Sequence, residues 1–137
     1  MSVSLGMSGS RDGMSDKAKR TLKRLLKEYK IKEAHHGDCM GADTRFHAIM
    51  KKKGIRVVIH PPKNSRMRSF CEGDELRKPL DYIERNHQIV DESDILVAFP
   101  STKHEVLRSG TWATIRYAHK KIKKVIIIHQ DGSIDEM

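Results

Sequence analysis

A chain of 137 residues suits one domain, large enough to bury roughly 68% of the surface its unfolded form exposes. Its two cysteines, Cys39 and Cys71, exclude a disulfide framework and a paired zinc motif, and no apolar run approaches the ~18 residues that span a bilayer. A net charge of +9 attracts polyanions, yet three Tyr, three Phe and one Trp provide no interleaved aromatic and basic platform for single strands.

In chain order, Val3 to Leu5 reads as a short strand that runs into the glycine loop Gly6 to Gly13. Ala18, Leu22, Leu25, Leu26 and Tyr29 then recur at helical spacing from Ser15 to Lys30, with Ser15 as N-cap. A second strand over Lys32 to His36 leads into His36-Gly37-Asp38-Cys39-Met40-Gly41-Ala42-Asp43. Ala42, Phe46, Ile49 and Met50 form the next apolar face, and Gly54 stops that helix. Ile55 to Ile59 suits a strand buried on both faces of a parallel sheet, and His60-Pro61-Pro62 ends it.

Residues 63–78 show no clean period and carry Arg66, Arg68 and Arg77, which predicts a lid over the site. A helix starting at Pro79 buries Leu80, Ile83 and Val90; Ile95 to Phe99 is a strand, Gly110 to Lys121 a helix and Val125 to Ile128 a last strand. Lysines gather at helix ends, as at Lys51 to Lys53 and around Lys120, where they complement the helix dipole.

Five strands joined by long crossovers predict an α/β fold, a Rossmann-like three-layer sandwich with a mainly parallel five-stranded sheet, over a single domain spanning 1–137. Ligands of such sheets bind beyond the carboxyl ends of the strands. All three glycine loops follow strands, so they converge on one sheet edge and together predict a phosphate-binding pocket. Its expected lining is Gly6, Ser8, Gly9, Ser10 and Arg11 from the first loop; Gly37, Asp38, Met40, Gly41, Ala42 and Asp43 from the second; Arg85 from the helix before the fourth strand; and Pro100, Ser109, Gly110 and Thr111 from the last.

Gly6-Met7-Ser8-Gly9-Ser10-Arg11, the Gly37 to Asp43 stretch, Arg85-Asn86, and Ala98-Phe99-Pro100 followed by Ser109-Gly110-Thr111 resemble the SLOG superfamily. That group holds the Smf/DprA proteins, the LOG cytokinin-activating phosphoribohydrolases and small stand-alone Rossmann-like proteins, and the resemblance is closest to the last. It implies binding of a nucleotide or nucleotide-derived signal, ADP-ribose-like molecules included. LOG enzymes cleave an N-glycosidic bond with an arginine, which Arg85 matches, and with a glutamate in Pro-Gly-Gly-x-Gly-Thr-x-x-Glu. Here the paired glycines are replaced by Ser101-Thr102 with an insertion, and Thr114 stands at the glutamate position. Threonine cannot serve as a carboxylate acid/base.

Ligand binding is therefore the leading expectation. A nucleoside-phosphate hydrolase using Asp38, Asp43 or Glu105, with Arg85 and Asp43 as the first catalytic candidates, is the alternative; DNA binding in the Smf/DprA manner ranks third. Asp43 is either a helix N-terminal acid or a partner for a ribose hydroxyl, and Cys39 sits where a helix N-terminus activates thiols. Trp112 reads as a packing residue. His35, His36 and His60 have no Asp or Cys at ligand spacing and read as satisfied polar residues at strand ends, so neither metal nor cofactor is expected. The start of the chain lacks the basic, then apolar pattern of a signal peptide, which predicts a reducing cytoplasm, of a bacterial or a virus-infected host cell, and homo-oligomers are expected.

Overall fold

A computed structural model describes residues 2–136. Strands β1 (Ser2–Gly9), β2 (Lys30–His36), β3 (Arg56–Ile59), β4 (Glu75–Leu76), β5 (Ile95–Phe99), β6 (Lys124–Ile128) and β7 (Ile134–Glu136) form one sheet in the order β4-β3-β2-β1-β5-β6-β7. Every pairing is parallel except β6 with β7. The five expected strands are present and two short edge strands are added. Both lie at sheet margins and have too few residues to carry a period-2 signal.

Helices α1 (Asp16–Leu26), α2 (Ala42–Lys52), α3 (Tyr82–Asp91) and α4 (Gly110–Lys120) complete the three layers. Leu5, Val97, Phe99 and Ile126 pack with Leu22, Phe46 and Met50, while their strand neighbours Leu96, Ala98, Val125 and Ile127 pack with Ile115 and Trp112. The central strands are thus buried on both faces, the reason they read as continuous apolar runs.

Three local readings need correction. Ser15 does cap α1, its Oγ accepting from the Ala18 N–H at 3.0 Å, but the helix ends at Leu26 and Tyr29 lies beyond it, because β2 already begins at Lys30. The third helix does not start at Pro79: the Leu80 N–H donates to Pro61 O at 3.2 Å and Leu80 O accepts from the Lys63 N–H at 3.0 Å, so this backbone is spent on an extended pairing. Starting at Tyr82 turns Ile83 outward, 70% exposed, and turns Arg85, Ile89 and Val90 inward.

Residues 63–78 do not close over the cavity at the carboxyl edge of the sheet: they pack against the second glycine loop and none of them lines that cavity. Asp38 binds this segment to the second loop: its carboxylate takes the Arg68 Nε–H at 2.8 Å and the Cys71 N–H at 2.9 Å, and its carbonyl takes the Ser69 N–H at 2.8 Å. No helix of the described residues is long and apolar enough to cross a membrane.

Candidate functional site

The chain winds outward from β1 through β2 and β3 to β4, then returns to place β5 on the other side of β1. Strand order reverses between β1 and β5, and there a cavity of about 450 Å³ opens at the carboxyl edge of the sheet. Of the expected lining, the fold brings together Ser8, Gly9, Ser10, Arg11, Gly37, Met40, Asp43, Arg85, Ser109, Gly110 and Thr111.

Five expected residues lie outside that wall. Gly6 sits inside β1, where an added Cβ would fall 2.3 Å from Ser93 Oγ, so its missing side chain makes room for α3. Asp38 is fully buried against Arg68 and Cys71, and its left-handed φ of 57° turns it away from the cavity. Gly41, at φ 103°, backs onto Ser10 and Arg11; Ala42 donates its N–H to Ser10 O and presses its methyl group toward Gly9; Pro100 is buried after β5. All five shape the loops from behind.

Arg85 dominates the wall. Only 4% exposed, it donates from Nη1 to Gly37 O at 2.6 Å and to His60 O at 3.1 Å, and from Nε to Asn86 Oδ1 at 2.8 Å. Its Nη2 lies 3.6 Å from Cys39 Sγ, and the guanidinium stands 5.0 Å from the centre of the Tyr82 ring. Gly37 is glycine for this reason: a Cβ there would meet Arg85 Nη1 at 2.5 Å. Among the described residues no carboxylate forms an ion pair with Arg85, so a buried cation faces the cavity with carbonyls and a thiol as its company.

Asp43 staples the second loop, its Oδ2 accepting from the Gly37 and Cys39 N–H groups at 3.1 Å each. Burial pushes its carboxyl up to about 6, more than those two bonds and the Arg85 charge pull it down. Across the cavity Ser109 caps α4, accepting from the Trp112 N–H at 3.2 Å; backbone bonding of this helix begins with Ala113 to Ser109 O, and the Gly110 and Thr111 amides at its positive end have no hydrogen-bond partner among the described residues. Ser10 Oγ is buried and finds no hydrogen-bond partner among the described residues.

Thr114 also lines the cavity, with its hydroxyl donating back to Gly110 O at 2.9 Å. Glu105 pairs with Arg116 on an exposed loop and Asp38 is consumed by Arg68, so of the acids named from sequence Asp43 alone reaches the cavity. Trp112 packs beside Ile115 and is 6% exposed, its Nε1 donating to Thr102 Oγ1 at 3.0 Å.

Sequence reasoning missed Tyr82, Ile83, His87, Ile89 and Ala113 in the lining. Four belong to α3, whose start was misplaced by three residues. It also missed the partners of the histidines. His36 accepts the Asp38 N–H on Nδ1 at 2.9 Å and meets His47 Nδ1 with Nε2 at 2.9 Å, and Cys71 Sγ completes a trio; His35 and His60 meet in a second trio with Glu92. Burial pushes His36 down to about 3 and lowers His60. His47, Cys71 and Glu92 come from other elements, and sequence spacing carries no trace of them.

No protein-family model and no characterised relative matches the sequence. Among solved structures, the chain is similar to the X-ray structure of DNA processing protein A (DprA) from Streptococcus pneumoniae, with a TM-score of 0.66 and 19% identity over 90% of this chain and 49% of that one. The chain spans about half the length of that neighbour. With its parallel-dominated sheet between two helical layers, the chain therefore shares the Rossmann-like α/β fold found in DprA.

Proposed function

We propose that the cavity binds a nucleotide or a nucleotide-derived small molecule through its phosphate. The observation that carries this reading is Arg85, a buried guanidinium aimed at the cavity with no acid paired to it. Burying this charge without a direct ion pair is costly, Asp43 acting on it only from beyond ion-pair distance, and an anionic ligand would offset that cost. The Gly110 and Thr111 amides at the start of α4, the unpartnered Ser10 hydroxyl and Arg11 supply further donors around the same space. Met40, Tyr82, Ile83 and Ile89 add apolar and aromatic wall for a base or sugar.

Titration calorimetry against nucleoside monophosphates, ADP-ribose and cyclic dinucleotides tests this. Binding of at least one phosphate-bearing compound is expected, weakened at least about tenfold in Arg85→Met. Silence across the panel from folded protein refutes it.

A second reading, nucleic-acid binding, is favoured by a cationic patch rather than by the cavity. Lys19, Lys52, Lys53 and Arg45 surround Lys23 closely enough to lower its pKa, Lys19 most strongly. The fold neighbour is named as a DNA processing protein. Duplex or single-stranded DNA that is retarded at physiological salt, with affinity falling steeply as salt rises, would support this use of the patch.

A further inference from the structure

We propose that His35, His60 and Glu92 form a site for one divalent transition ion of the zinc class. Their ligand atoms all lie within 4.8 Å of one another. His35 Nδ1 and His60 Nε2 face each other at 2.8 Å, and Glu92 Oε1 is 4.0 Å from His35 Nδ1.

The hydrogen-bond partners behind the rings make this pair unusual. His35 Nε2 lies 2.6 Å from Glu33 Oε2, and His60 Nδ1 lies 2.7 Å from Gln88 Oε1. Both outer partners present acceptor oxygens, which favours the tautomers with the proton on the outer nitrogens. In those tautomers the inner lone pairs face each other across 2.8 Å, and a cation between them, a metal ion or a shared proton, relieves the repulsion. An outer nitrogen donating to a carboxylate or an amide oxygen while the inner nitrogen is free to ligate is also the arrangement that orients histidines on zinc. Opening the pair by about half an ångström would fit the ~2.0–2.1 Å zinc–nitrogen bonds of a tetrahedral ion.

Charge points the same way. Around the pair, Glu33, Glu75 and Glu92 face Arg56 and Arg77 in a linked set of ion pairs, leaving one negative charge for a cation at the centre. Both histidines are fully buried, whereas the Glu92 side chain is 29% exposed and leaves the ion a way in. Gln88 stands one turn beyond Arg85 on α3 and Glu92 caps the end of that helix, so the ion would brace the helix that presents the cavity's guanidinium.

The trio His36, His47 and Cys71 does not share these properties. His36 Nδ1 accepts the Asp38 N–H, so its Nε2 carries the proton and donates to His47 Nδ1. That pair is satisfied without an ion.

The test uses the full chain, stripped with chelator and titrated with Zn²⁺ by calorimetry and with Co²⁺ by visible spectroscopy. One equivalent should bind, with tetrahedral cobalt bands and no thiolate charge-transfer band, and Cys71→Ser should leave both unchanged. Glu92→Gln, at a partly exposed position, should weaken binding at least about tenfold, and His60→Gln, checked for folding by circular dichroism, should abolish the cobalt bands. A colourless, heatless titration of folded protein would overturn the proposal, as would a thiolate band or binding indifferent to both variants. Ring ¹⁵N shifts showing a His35 imidazolium that persists with zinc present would assign the bridging cation as a proton and overturn it equally.

Discussion

Replacing Asp43 with asparagine should make the protein more stable at alkaline pH and leave it nearly unchanged in acid. The carboxyl is buried at the wall of the cavity, and burial pushes it from an ordinary 3.8 up to about 6. Because folding raises this pKa, the folded state holds a proton that the unfolded chain has already lost between those two values. Stability therefore falls as pH rises from 3.8 to about 6, and above that window the full cost of the buried carboxylate remains, about 3 kcal/mol. Asparagine keeps one oxygen that can accept both the Gly37 and Cys39 N–H groups and carries no charge.

Urea unfolding of both proteins at pH 4.5 and pH 8 reads the difference directly, since titrations elsewhere cancel between them. With a slope of about 1–3 kcal/mol per molar urea, the variant's midpoint should exceed the parent's by about 1–3 M at pH 8 and by about a third of that at pH 4.5, where the carboxyl of the unfolded chain is already mostly ionised. A midpoint difference that does not change with pH would refute this account of Asp43.

Three other substitutions or treatments probe the loops. Gly37→Ala places a methyl group 2.5 Å from Arg85 Nη1, so, on the proposed function, affinity for the phosphate-bearing ligand should drop about tenfold or more while the melting temperature falls only a few degrees, as calorimetry and a thermal scan would show. Gly41→Ala combines a φ of 103° with a Cβ 2.6 Å from Arg11 O and 2.8 Å from Ser10 O; denaturant unfolding should record a loss of about 2–4 kcal/mol. The Cys71 thiol, pushed up to about 12 by burial and by the adjacent Asp38 carboxylate, should resist iodoacetamide at pH 8 in the folded protein and react once urea is added, with the site read by peptide mass spectrometry.

Much of this architecture is written locally. Val57 to Ile59, Ile95 to Phe99 and Val125 to Ile128 are apolar on both faces because each is covered on both sides, and that is visible as an uninterrupted run. Ser15 and Ser109 mark helix starts through a cap that spans three residues. Alternation of such strands with helices, each followed by a glycine-bearing loop, was enough to place the first, second and last loops on one sheet edge, since parallel strands all end on the same side.

Other features depended on partners far away in the chain. Asp38 looked like a loop acid because nothing nearby announces Arg68 and Cys71, some thirty residues on, and Gly6 looked like a loop glycine although Ser93 is what occupies its space. Leu80 was assigned to a helix because Pro79 favours a first turn; the pairing with Pro61 and Lys63 outweighed that preference and rotated the face of α3. That rotation buries Arg85 and sets Gln88 and Glu92 against His60 and His35. Caps, turns and burial periods are decided by neighbours within about four residues and so survive in the sequence, whereas an unpaired guanidinium or a pair of facing imidazoles is defined by what long-range packing brings beside it.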